Sequence, residues 1–172
     1  MVRYRCVLSI VFLAGQSLVA IAAPDKDAAT RIMTDGNYAE AFAAFNALAL
    51  ARRTPGEDAA YALGQGVGCL AKLNRHSEFD DFVEGVVTAH GNAASVLWEA
   101  ARQYTQSAPH YGFIVGGSFQ RGNHRGGGRW VNVMERDRIR AMQLLEEALP
   151  GALDGGLGAA AYDYYMEFAR TV

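Results

Sequence analysis

Cysteine is nearly absent from this chain, which holds only Cys6 and Cys69. Cys6 falls in the expected export signal, so the mature part keeps one thiol and can close no internal disulfide. Stability must come from packing. A basic excess is missing as well. The chain has 16 Lys plus Arg against 18 Asp plus Glu; without Arg3 and Arg5 of the signal the balance is 14 to 18, a net charge of −4. That balance argues against a general nucleic-acid binder, which needs a strongly basic surface. No apolar run reaches the roughly 20 residues that a membrane-spanning helix requires. The longest, Val7 to Ala20, is interrupted by Gly15, Gln16 and Ser17, and Pro24-Asp25-Lys26-Asp27 follows it.

What stands at the N-terminus instead is the pattern of a cleaved export signal: basic Arg3 and Arg5, an apolar run, and the small-residue stretch Ala20-Ile21-Ala22. Residues 1–22 are therefore expected to be a signal peptide and residues 23–172 the mature protein, released to the periplasm or secreted. Cys6 precedes the apolar run, so the small-residue-then-cysteine pattern of a lipid anchor is missing. The mature length suits one domain, and its composition favours a globular fold over disorder.

Helix starts are well marked, because a capping side chain and an acid three residues later can each satisfy an unpaired backbone donor. Asn37 with Glu40, Thr54 with Glu57, Ser77 with Asp80, and Asn132 with Glu135 have this spacing. Helices are predicted over Asn37–Arg52, Pro55–Leu73, Ser77–Ala89, Ala93–Gln106, Val133–Leu149 and Leu157–Arg170, with a short one near Asp27–Thr34. The apolar stripes Tyr38, Phe42, Phe45, Leu48 and Met134, Ala141, Leu145, Ala148 agree with helical periodicity, and no sustained alternation of period two competes. An internal echo adds architecture. Gly36, Tyr38, Ala41 and Phe45 stand at the offsets of the second half of a tetratricopeptide-type hairpin, and Asn74, His76, Phe79 and Val83 recur 38 residues later. The expected fold is all-α: tetratricopeptide-like hairpins stacked into a short solenoid or bundle, since one hairpin cannot bury its apolar face alone.

Between Ala108 and Val131 the helical pattern stops. This segment holds seven glycines, three arginines, two histidines and four aromatics, and is too long for a neutral connection. Phe113-Ile114-Val115 and Ser118-Phe119 around Gly116-Gly117 are spaced for a two-residue β-hairpin, and the triple glycine Gly126–Gly128 permits a tight backbone path, with Gly127 expected at positive φ. His110, Arg121, His124, Arg125 and Arg129 are the candidate contacts for an anion or a partner, because glycine-rich backbone can aim N–H groups at phosphate or carboxylate. The bland alternative is a clasp in which the histidines bond the segment's own backbone and Phe113, Phe119 and Trp130 pack on helices.

Other chemistry is thinly supported. The two histidines are far apart, with no Cys, Asp or Glu between them to complete a metal set, so no metal and no cofactor is expected. Cys69 sits among Gly64, Gly66 and Gly68 on an expected buried helix and reads as a small core residue. Asp80, Asp81 and Glu84 open a helix, where negative charge suits the dipole, and Asp137 is one turn from Arg140.

Residues Pro109 to Pro150, from His110-Tyr111-Gly112-Phe113 through Arg121-Gly122-Asn123-His124-Arg125-Gly126-Gly127-Gly128 to Glu135-Arg136-Asp137-Arg138-Ile139-Arg140-Ala141, resemble a segment ahead of the macroglobulin domains in bacterial alpha-2-macroglobulin-like proteins. In that family a signal peptide and a helical, tetratricopeptide-like region come first. The resemblance implies an envelope protein associated with protease trapping. The family's Cys-x-Glu-Gln thioester motif is missing, since Cys69 is followed by Leu70-Ala71-Lys72, and the bait region and macroglobulin domains do not fit in this length. At most, then, the resemblance implies the N-terminal module of such a protein, or a truncated or stand-alone relative. The expected function is a non-enzymatic exported interaction module that docks onto a protein partner or onto downstream domains of a longer polypeptide. The alternative is an envelope enzyme or a receptor for a small anionic ligand, using the His/Arg/Gly segment.

Overall fold

The computed structural model describes residues 25–155 and 157–171, so the expected signal peptide lies outside the described residues. Among the described residues seven helices are formed: α1 Lys26–Thr34, α2 Tyr38–Leu50, α3 Gly56–Lys72, α4 Phe79–His90, α5 Ala94–Arg102, α6 Met134–Leu153 and α7 Ala161–Thr171. Three strands, β1 Tyr111–Val115, β2 Ser118–Arg121 and β3 Arg129–Asn132, lie between α5 and α6 in the chain. Among the described residues no helix is long and apolar enough to cross a membrane.

The two turns singled out by the echo are built alike. Gly36 and Asn74 both take a left-handed backbone, at φ +83° and +58°. Each ends its helix with the same pair of bonds: Gly36 N–H to Met33 and Asn37 N–H to Ile32 after α1, Asn74 N–H to Ala71 and Arg75 N–H to Leu70 after α3. This is the paired closure that satisfies carbonyls left over at a helix end. Downstream, Ala41, Phe45, Phe79 and Val83 are buried, whereas Tyr38 and His76 are half-buried.

Local likeness does not extend to the architecture, and the expected all-α solenoid of tetratricopeptide-like hairpins is corrected. Instead of opening a third hairpin, α5 ends in a widened turn over Gln103–Ser107, closed by Ala108 N–H to Gln103. The chain then forms an antiparallel sheet of order β2-β1-β3. After the sheet, α6 packs back on α5, which also lies against α3; α2 packs on α1 and α3, and α7 on α6. Phe45, Leu63, Leu70, Val83, Val86, Leu97, Leu144, Leu145 and Tyr164 form the centre of one shared core. Gly66 admits the ring of Phe82, which a Cβ would meet at 2.7 Å. Cys69 is fully buried in this core, and burial pushes its thiol pKa up.

Candidate functional site

The hairpin turn is the one its glycines require. Gly116 and Gly117 stand at φ +58° and +88°, and Val115 faces Ser118 across the turn. Two positive φ values at a two-residue loop match the right-handed twist of the flanking strands. From there the register runs to Gly112 opposite Arg121. A Cβ on Gly112 would lie 2.2 Å from the carbonyl oxygen of Gln120, so the close approach of β1 and β2 depends on glycine. The next residue, Gly122, has φ +77°, and a Cβ there would come within 2.7 Å of His76 Cβ.

This path carries Arg121 inward until it is 1% exposed. Its guanidinium meets carboxylates from two helices. Nε and Nη2 donate to Asp80 of α4 at 2.9 and 2.8 Å, while Nη1 and Nη2 donate to Asp137 of α6, each at 2.8 Å. The remaining Nη1 proton goes to the Pro109 carbonyl at 2.7 Å. An arginine has five N–H donors, and here every one is used. The rings of Phe79, Tyr104 and Phe119 surround it at 4.9, 5.9 and 5.7 Å. Arg136 caps the cluster, donating to Asp80 at 3.0 Å and to Asp137 at 3.1 Å while lying 4.4 Å from the Phe119 ring centre. Two arginines thus face two carboxylates, and no charge is left uncompensated.

A second group adjoins the first. Glu84 accepts from Tyr104 Oη at 2.8 Å and from Arg140 Nε and Nη2 at 2.9 and 2.8 Å. Burial opposes ionisation of Asp137 and Glu84, but hydrogen bonds from Arg121 and His110 in one case and from Arg140 and Tyr104 in the other outweigh it and hold both pKa values below the usual range. Burial and the Glu84 carboxylate push the Tyr104 pKa far up. Burial lowers the Arg121 pKa, but Asp137 and Asp80 more than reverse that and raise it.

Of the five residues proposed from the sequence, Arg121 and His110 meet on Asp137 and the other three lie elsewhere. Arg121 is the internal one. His110 is partly buried, with Nδ1 3.1 Å from Asp137 Oδ2 rather than on backbone. His124 lies against Phe113, ring centres 6.1 Å apart. Arg125 and Arg129 are exposed and make no ion pair among the described residues. Three further expectations are corrected. Asp137 pairs with Arg121 and not with Arg140; Trp130 is 56% exposed rather than packed on helices; and Gly127 has neither a positive φ nor any atom within 4 Å of where a Cβ would stand. Among the described residues no group of three or more His, Cys, Asp or Glu is placed to hold a metal. Comparison of the chain with protein-family models, with curated proteins and with solved structures finds no match.

Proposed function

We propose that this chain is an exported, non-enzymatic protein-interaction module in which the glycine- and arginine-rich segment is an internal clasp, tying a small sheet to α4 and α6. The observation that carries this reading is the complete use of Arg121. The buried cluster is closed to an anion, because all five N–H groups of Arg121 end on Asp80, Asp137 and the Pro109 carbonyl, which leaves Arg125 and Arg129, both exposed, as the arginines an anion could reach. Acid–base chemistry gains no support either. A general acid or base works best with a pKa near the working pH, whereas Asp137 and Glu84 are driven down and Tyr104 and Arg121 up. Arg3, Arg5 and the apolar run to Ala20 support export. The resemblance of Pro109–Pro150 adds a context, a helical module ahead of the macroglobulin domains of a larger envelope protein.

Affinity capture from an envelope extract, with residues 23–172 as bait, tests the reading. Saturable retention of a protein partner is the expected result. Retention of none, together with a melting temperature that phosphate or a carboxylate raises in the parent but not in Arg125→Ala, would move the chain to the receptor class.

A further inference from the structure

Resting on the reading as an interaction module, we infer that the outer edge of β3 is the docking site, and that its occupant is an extended acidic segment of a partner protein, added as a fourth strand. The sheet order leaves β2 and β3 at the edges. β2 is covered at one end, where Arg121 is buried against α4 and α6 and Gly122 abuts His76, while Ser118 and Gln120 are exposed. β3 is bare, with Arg129, Trp130 and Asn132 exposed.

The register shows which backbone groups are available. Val133 N–H bonds His110 O at 2.9 Å, and the pairing continues as Asn132 with Tyr111, Val131 with Gly112, Trp130 with Phe113 and Arg129 with Ile114. Hydrogen-bonded pairs alternate along an antiparallel ladder, so Val131 and Arg129 turn their N–H and C=O groups to β1. Trp130 and Asn132 turn theirs outward. An unpaired row of this kind is a template for another strand.

Charge selects the occupant. Arg129 opens β3 and Arg125 precedes it by four residues; both are exposed and make no ion pair among the described residues, and Glu135, the next acid along the chain, is held by Arg138 at 3.0 and 3.1 Å. A second copy adding its own β3 would bring no carboxylate to Arg129, because Arg129-Trp130-Val131-Asn132 holds none. Residues facing each other across strands share a side of the sheet, so Trp130 lies on the side of Phe113 and Arg129 on the opposite side with Ile114. A matching strand therefore alternates, apolar towards Trp130 and acidic towards Arg129.

The probe is a capped eight-residue peptide of alternating Val and Glu, its binding to residues 23–172 followed by fluorescence anisotropy. Its controls are a Val/Lys peptide and a Val/Glu peptide N-methylated at alternate amides. The Val/Glu peptide is expected to bind at least about tenfold tighter than Val/Lys, and N-methylation to weaken it by about as much. Arg125→Glu combined with Arg129→Glu, both at exposed positions, should reverse the preference while the melting temperature holds. Equal binding of both peptides, binding of neither, indifference to N-methylation, or sedimentation of the parent as a dimer that excludes the peptide would each overturn the inference. If affinity capture retains a partner equally on the parent and on the double-Glu variant, the edge assignment fails while the module reading stands. Retention of nothing on either would sink the module reading itself.

Discussion

Burying a guanidinium costs several kcal/mol of hydration, which its partners must offset through geometry and complete hydrogen bonding. Arg121 has that compensation from Asp137, which is fully buried, and from half-buried Asp80. Arg121→Met is therefore expected to destabilise the protein by about 3–5 kcal/mol, because it leaves Asp137 ionised and poorly compensated. Arg121→Met combined with Asp137→Leu should recover part of that loss, since the buried charge then goes with its partner. Urea unfolding measures both; a double variant no more stable than Arg121→Met alone would show that pairing is not what holds these residues. The pairing was hidden in the sequence by the ordinary uses of an acid. Asp80 stands where a capping acid belongs and Asp137 one turn from Arg140. A signal was present, however: Asp137 falls on the stripe of Ala141, Leu145 and Ala148, and an acid on an apolar stripe demands a buried cation. Met134, assigned to that stripe, is instead exposed.

At the scale of elements, helices were the most legible part. Periodicity and turn residues locate all seven to within a few residues and Gly116-Gly117 locates the hairpin, but the expected capping boxes do not form: Asn37 Nδ2 donates to the Glu40 carboxylate, Thr54 Oγ1 donates to the Leu48 carbonyl, and neither they nor Ser77 cap a helix N–H. β3 was not legible, because four residues after a triple glycine carry too little alternation to announce a strand, and its pairing with β1 is a tertiary choice. The glycines that matter were also misplaced. Gly122→Ala is expected to cost roughly 1–2 kcal/mol for the left-handed backbone alone, and more because its Cβ must displace His76. Gly127→Ala should change stability by less than about 0.5 kcal/mol, its surroundings being open. Thermal melts of the two variants check this, and equal losses would refute the assigned path of the segment.

For the molecule as a whole, the acid side of its stability curve has a determined shape. Burial raises the Glu99 pKa above its ordinary 4.5, against weaker opposition from Gln103 and Arg102. Between that raised value and 4.5 the folded chain binds more protons at Glu99 than the unfolded one, so stability rises as pH falls. Glu84 and Asp137 act in the opposite sense. Their folded pKa values lie below the ordinary 4.5 and 3.8, so the stability they contribute is complete above those values and is lost as pH falls through the lowered ones. Melting temperature should therefore peak at mildly acidic pH and fall below about 4. Glu99→Gln should flatten the neutral side of the curve and leave the acid limb; an unchanged neutral side would remove Glu99 from the account. The overall fold was legible only as mostly helical, because whether helical hairpins stack on one another or close around one core is decided by contacts far apart in the chain.

The arginine cluster also bears on how this sequence can vary through descent. Asp80, Arg121 and Asp137 come from α4, β2 and α6, and the hydrogen bonds joining them span 41 and 16 residues. Losing any one strands charge on the others, so a lineage cannot drift through single replacements here without a weakened intermediate. The three positions are expected to be kept together or exchanged together, and an alignment of homologues in which they vary singly would refute this.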